Sequence, residues 1–201
     1  MKKETTIFHF RSIPHFSVLA AASLGLSTAT HGAVLLAFDI QNPSAVTITA
    51  TSSPSLINDL SGNGGDGVSL LLFFRGPGFQ LTGDEVSGLG LSAAGMSESY
   101  SDISNTFALL TGRDINLYSI GSGVQAFSML SPAFNGSMVL DLGAAAGLLP
   151  ALGTVGDIVV GDTVSGSGSV IGQWQAVPEP TAASLVAISL LIVASLRNRR
   201  H

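Results

Sequence analysis

The residues of this sequence that could perform chemistry are few, and their positions exclude most kinds of catalytic site. The chain has no cysteine. Its four histidines all lie outside residues 34–178: His9, His15, His31 and His201. Cys-His catalysis, Ser-His-Asp catalysis and the usual zinc sites all need one of these side chains. We therefore expect the middle of the chain to be no enzyme and to hold neither a metal nor another cofactor.

Two features of the middle segment could still act on a sugar. Asp84 and Glu85 are adjacent carboxylates, and two carboxylates can hydrolyse a glycoside without histidine. Neighbouring residues of a strand point to opposite faces, however, so a solvated loop is the better interpretation. Trp174, the single tryptophan, could stack on a sugar ring, but its place in the predicted terminal strand "SVIGQWQA" favours a core position.

Two further motifs have ordinary structural interpretations. The run "GNGGDG" is similar to glycine- and aspartate-rich calcium repeats, but it occurs once and with the wrong spacing, which favours a plain turn. Thr47, Thr49 and Thr51 form a threonine ladder of the kind that ice-binding surfaces use. One ladder is one strand face without repeats, so an ordinary solvent-facing strand is expected.

Charge is distributed unevenly along the chain. Residues 34–178 contain eleven acidic side chains but only two basic ones, Arg75 and Arg113. So acidic a surface repels phosphate backbones, which makes nucleic-acid binding improbable and suits cations or neutral glycans better.

The first 32 residues are typical of a secretory signal peptide. Lys2, Lys3 and Arg11 form a basic region, and the apolar run Phe16–Leu26 that follows is too short to span a bilayer of about 30 Å. Small residues then accumulate in "STATHGA", where cleavage after Gly32 or after Ala29 is plausible. We expect the chain to be exported.

The last 25 residues, "VPEPTAASLVAISLLIVASLRNRRH", form a three-part tail. Residues 181–196 are uncharged and mostly apolar, and as a helix they would extend roughly 24 Å, a marginal membrane span. Pro178 and Pro180 prevent the helix from starting earlier. Three arginines follow the span and oppose translocation of the terminus: Arg197, Arg199 and Arg200.

This tail resembles the PEP-CTERM sorting signal of Gram-negative bacteria, with Asn198 as a small departure within the arginine run. The resemblance covers residues 177–200. It implies recognition by exosortase, a membrane protease-transpeptidase that processes its substrates near the motif. The recognition residues would then be Pro178, Glu179 and Pro180, with Arg197, Arg199 and Arg200 as the retention cluster. Catalysis would belong to the sorting enzyme, and this chain would be its substrate.

The periodicity between the two ends favours strands. "VTITAT" places Val46, Ile48 and Ala50 on one face, and "GSMVLDL" places Met138, Leu140 and Leu142 on one face. "DINLYSI" and "VQAFSML" have strand-like composition, and "GVSLLLFF" suits a strand that is covered on both faces. Gly, Asn, Asp and Ser clusters separate the runs, as in Ser61–Gly67 and Gly121–Gly123. We expect eight or nine strands in an all-β, antiparallel sandwich of jelly-roll or immunoglobulin-like kind over residues 33–176.

Three functions agree with these features. The first is a sorted, non-catalytic surface or matrix protein, inserted in the inner membrane before it reaches the cell surface, with exopolysaccharide as a further partner. The second is a secreted carbohydrate-binding module or carboxylate-only glycosidase. The third is an envelope protein that stays anchored by its tail and is never processed. The scarcity of catalytic side chains favours the first.

Overall fold

A computed structural model of the protein describes residues 32–63, 67–105, 112–120, 124–161 and 168–178, which belong to one compact unit. These ranges are nearly all β. The strands are β1 Val34–Asp39, β2 Val46–Ala50, β3 Asp59–Asn63, β4 Val68–Leu70, β5 Val86–Gly88, β6 Ser92–Ala93, β7 Asp102–Ser104, β8 Ile115–Tyr118, β9 Val124–Phe127, β10 Phe134–Asn135, β11 Ser137–Leu140, β12 Val155–Val160 and β13 Ser169–Val177. Two short 3-10 helices cover Pro43–Ala45 and Gly143–Leu148.

Nine of these strands form one large sheet in the order β5-β11-β2-β1-β13-β12-β4-β8-β7. The first and last strands of the described chain, β1 and β13, are neighbours near its centre and run parallel. The other pairings of this sheet are antiparallel. Two small antiparallel sheets pair β10 with β6 and β3 with β9. The residues that directly precede the predicted tail therefore form the central strand of the large sheet.

The alternation predicted for two strands is confirmed. In β2, Val46 and Ile48 are buried while Thr49 is exposed, and in β11 Met138 and Leu140 are buried. The two strands pair with Met138 opposite Ile48, so the apolar residues of both lie on the same face of the sheet. A period of two residues sets this face directly from the sequence.

Three details of the predicted strand pattern are wrong. The run "GVSLLLFF" is a strand only at Val68–Leu70, and it then turns, so that Phe73 and Phe74 enter the core from a loop. The loop predicted at Ser61–Gly67 overlaps β3, which extends to Asn63 and pairs with β9. The described ranges hold thirteen strands rather than eight or nine, because several are only two to four residues long.

Buried side chains of the large sheet and of both small sheets belong to one hydrophobic core. Part of this core is aromatic: the ring of Trp174 lies 5.8 Å from that of Phe38 and 5.2 Å from that of Phe73. Phe127 of β9 and Phe134 of β10 contact each other at 5.5 Å. Trp174 is fully buried, which confirms its predicted core position and leaves no ring face for a sugar.

Candidate functional site

The predicted sorting motif begins where the central strand ends. Val177 is the last residue of β13 and lies opposite Asp39 in β1, and Pro178 is exposed. Ala176, the residue before Val177, is hydrogen-bonded through both of its backbone polar groups. Gly153 N–H donates to the Ala176 carbonyl at 2.8 Å, and Ala176 N–H donates to Thr154 O at 2.9 Å. The described chain thus reaches Pro178 directly from a well-paired strand, with no intervening loop.

Other predicted site residues lie outside the described ranges. These are Glu179 and Pro180 of the motif and the three arginines Arg197, Arg199 and Arg200. Residues 1–31 of the predicted signal peptide also lie outside them. Within the part of the chain that the structure describes, no helix has the length and hydrophobicity needed to cross a membrane. The predicted span at 181–196 falls beyond that part.

We use the term exit end for the end of the large sheet at which β13 finishes, together with the loops Leu71–Pro77 and Leu149–Thr154. Strand register places these loops there. Val155, the first residue of β12, lies opposite Gln175, and Leu70, the last residue of β4, lies opposite Ile158. Both loops therefore join strand ends that lie beside the end of β13.

Trp174 fixes the loop Leu71–Pro77 to β13. Its indole Nε1 donates to the Leu71 carbonyl at 3.1 Å, which satisfies the one polar atom of a fully buried ring. A glycine makes room for this contact, because a Cβ added at Gly156 would lie 2.5 Å from Trp174 Nε1 and 2.6 Å from Leu71 O. The strand next to the tail and the loop beside it are thus packed as one unit.

Leu72 adopts an unusual backbone conformation in this loop. Its φ is +56°, and among the described residues it is the one non-glycine residue with a positive φ. This conformation costs a side-chain-bearing residue about 1–2 kcal/mol. The Leu72 N–H donates to a carboxylate oxygen of Asp114, whose side chain is 4% exposed. A distant, buried acid therefore holds the turn in place.

Asp114 is only partly satisfied. Its second oxygen, Oδ2, accepts no hydrogen bond from the described residues. Burial raises the pKa of the Asp114 carboxyl, while the hydrogen bond from Leu72 and the nearby Arg113 act in the opposite direction. Burying a carboxyl group with one unpaired oxygen costs folding free energy. The hydrogen bond to Leu72 N–H, which holds the turn, is therefore made at an energetic cost.

The exit end presents apolar and basic side chains on the loops beside the end of β13. Leu72 is 56% exposed and Leu152 is 53% exposed. Arg75 is exposed, and its N–H donates to the Leu148 carbonyl at 2.8 Å. Arg113 donates through Nε to the carbonyl of Phe74 at 3.0 Å, so both basic residues of the acidic middle segment lie at this loop.

The remaining sequence candidates have structural roles. The Glu85 carboxylate accepts hydrogen bonds from the backbone N–H groups of Thr82 and Gly83 and closes the turn before β5, as expected for a solvated loop. The threonine ladder ends early, since Thr51 lies past β2 and donates its hydroxyl to Val34 O at 2.7 Å. No cluster of three His, Cys, Asp or Glu suited to a metal occurs in the described ranges.

Sequence reasoning missed the pair formed by Leu72 and Asp114. Leu72 stands within an unbroken apolar run and Asp114 precedes a strand 42 residues later, so neither carries a local signal. No family model matches the chain, and no curated protein or solved structure is significantly similar to it. What the site does must therefore be inferred from its own residues.

Proposed function

We propose that this chain is an exported, non-catalytic protein of the cell surface or extracellular matrix, delivered by a PEP-CTERM-like tail. In this proposal residues 1–32 direct export, residues 181–196 insert in the inner membrane, and an exosortase-type enzyme processes the chain at Pro178–Pro180. The observation that supports it best is the position of the motif. β13 ends at Val177 and Pro178 is exposed, so the first residue of the motif directly follows a central strand and is accessible.

The chemistry of the motif suits recognition by a protease. Two prolines on either side of Glu179 hold the backbone extended and leave it little conformational entropy to lose on binding. The preceding strand is itself extended, and an extended chain is the geometry that a protease cleft usually accepts. Cleavage there would remove the tail without breaking into β13.

A structural or adhesive role after delivery agrees with the composition of the middle segment. Its acidic surface suits cations and neutral glycans, and its few candidate catalytic groups are engaged in turns or in the core. The proposed architecture is a β-sandwich in which the two small sheets cover the large one. The single core shared by all three sheets supports this arrangement.

Two sets of substitutions separate the proposed roles of the tail. Glu179→Ala leaves the apolar span and the arginines intact, so this variant should remain in the inner membrane without being processed. Replacing Arg197, Arg199 and Arg200 by Ser removes the barrier to translocation, about 2.5 to 3.5 kcal/mol per arginine on insertion scales. That variant should be lost from the membrane before processing.

Cell fractionation followed by intact-mass analysis distinguishes these outcomes. A Glu179→Ala protein that is still trimmed near Pro180 and released like wild type would contradict the sorting function and leave only an anchor. A wild-type chain that keeps its tail in the membrane would instead indicate an unprocessed, tail-anchored envelope protein.

A further inference from the structure

We propose that, until the tail is processed, the exit end rests on the bilayer surface, with Leu72 and Leu152 among the lipid headgroups. This inference deepens the proposed function and rests on its membrane-inserted intermediate. The partner is the lipid surface itself. The argument uses the length of the connection to the tail, the exposed side chains at the exit end and their charge.

The connection between the fold and the predicted span is very short. Only Pro178, Glu179 and Pro180 separate the last residue of β13 from Thr181. Three residues extend at most about 10 Å, which is little more than the depth of one headgroup layer, roughly 5–7 Å. The exit end therefore cannot move away from the membrane while the tail is inserted.

The length of the span draws the fold closer still. Sixteen residues make a helix of roughly 24 Å, whereas the hydrocarbon core of a bilayer is about 30 Å thick. A span shorter than the core is accommodated by local thinning or by pulling its flanking residues inward. Pro180 and Glu179 are those flanking residues on the outer side, and the exit end follows them.

The side chains at the exit end suit this position. Leu72 and Leu152 expose more than half of their surface beside the departing strand, on the two loops next to β13 and β4. Leu72 is held outward at a backbone cost by Asp114 and by the packing of Trp174 against Leu71. A strained conformation that keeps an apolar side chain in water points to a contact made in another state.

Charge selects one half of the exit end. Arg75 and Arg113 lie on the loop Leu71–Pro77 and next to it, and lipid phosphates attract them. The acidic Asp39, Glu85 and Asp141 lie on the other side of β13, among the ends of β1, β11 and β5. The acids on the half carrying β12 and β4 are more enclosed, since Asp114 is buried and the half-buried Asp157 accepts a hydrogen bond from Gln173. We therefore expect this half to make the contact.

Single cysteines test this contact cleanly, because the natural chain has none. The full chain is produced as Leu72→Cys, Leu152→Cys or Leu130→Cys, where Leu130 is a matched control, 94% exposed and in the turn after β9. Each protein is labelled with an environment-sensitive fluorophore and reconstituted in vesicles of phosphatidylethanolamine and phosphatidylglycerol. The vesicles contain a phospholipid with a nitroxide on its headgroup. Trp174 fluorescence confirms that each variant is folded, and the Leu152 variant serves if the Leu72 variant is not.

Labels at positions 72 and 152 should be quenched by the nitroxide roughly twofold more than the label at position 130, because only the exit end lies at headgroup depth. Inserted protein with equal quenching at all three positions, or with the strongest quenching at position 130, would overturn the contact and leave the anchor standing. Protein that alkaline carbonate extracts from the vesicles would overturn the membrane-inserted intermediate and this contact with it.

Discussion

The two ends of the large sheet both expose large apolar side chains, but they hold them in different ways. The end opposite the exit end, which we name the far end, comprises Gly32, the loop Ser52–Asn58, the turn Ser128–Ser131 and the start of β13. Its exposed residues include Leu56, Met129, Leu130 and Val170, the last two 94% and 42% exposed. None of these four has the positive φ that Leu72 has.

Hydrogen bonds at the far end join the loop Ser52–Asn58 to the buried strand β13 and to the turn Ser128–Ser131. Leu56 N–H donates to Ile171 O at 2.8 Å, and Met129 N–H donates to the side chain of Asn58 at 3.0 Å. At the exit end, by contrast, a buried acid and a buried tryptophan hold the loop that carries Leu72. No positive φ accompanies the exposure of these four residues, whereas exposure of Leu72 is maintained against a backbone penalty. The comparison indicates that the fold holds the exposed Leu72 of the exit end in place, and that it does not hold the exposed apolar residues of the far end in the same way.

The largest effect is expected where the exit end is packed against β13. Gly156→Ala would place a methyl group 2.5 Å from the Trp174 indole nitrogen and 2.6 Å from a backbone oxygen, and neither can move without displacing β13 or the loop. We expect the free energy of unfolding to fall by about 3 kcal/mol, the upper part of the range for overpacking. Urea denaturation followed by the fluorescence of Trp174, the single tryptophan, measures it.

Gly147→Ala is the control for that substitution. No heavy atom lies within 4 Å of a Cβ added at Gly147, and its φ is not positive. The change in unfolding free energy should be within about 1 kcal/mol of zero. Equal losses for the two variants would show that Trp174 does not couple the loop to β13 as described.

A smaller effect separates the two ends directly. Leu72→Gly removes a backbone penalty of about 1–2 kcal/mol but adds the entropic cost of glycine, about 0.5–1 kcal/mol, so it should raise the free energy of unfolding by roughly 0.5–1 kcal/mol. Leu130→Gly changes a more exposed leucine of the far end without a positive φ, and should lower the free energy of unfolding by about 0.5–1 kcal/mol. The two unfolding curves should therefore shift in opposite directions. A loss of stability in both variants would mean that Leu72 is not strained.

The pH dependence of stability tests the carboxylate that holds Leu72. Burial raises the pKa of Asp114 above its unfolded value, so ionisation of Asp114 disfavours the folded state at neutral pH. That penalty should disappear as the pH falls through the raised pKa towards the unfolded value near 4. Asp114→Asn keeps an acceptor for the Leu72 N–H but cannot ionise.

Wild type should therefore gain more stability than the Asn variant when the pH is lowered from 7 to about 4. Urea denaturation of both proteins across this range measures the difference, and other carboxylates contribute equally to the two curves. Parallel curves would show that the Asp114 carboxyl is as easily ionised in the fold as in the unfolded chain.

The sequence predicted those parts of the fold that local patterns control. The alternation in β2 and β11 identified the buried face because side chains of a strand alternate with a period of two. Three long-range effects could not be read in the same way. The parallel pairing of β1 with β13 joins residues more than 130 positions apart, β3 forms from a turn-like run because β9 pairs with it, and Asp114 decides the conformation of Leu72.

The same distinction between local patterns and long-range effects applies to the candidate site. The motif at Pro178–Pro180 is a local pattern, and its place at the end of a central strand could not be predicted because the strand order is set by distant pairings. The exposed Leu72 was hidden in a run that reads as continuous strand. Its conformation depends on a buried carboxylate that precedes another strand.

The most direct test of the proposed function is the intact mass of the protein recovered from the cell surface or the medium of cells that produce it naturally. We expect a chain that begins near residue 33 and ends close to Pro178, so that the complete β-rich unit is released and the apolar tail is absent. A released or surface form whose mass includes residues 181–201 would contradict processing at the end of β13.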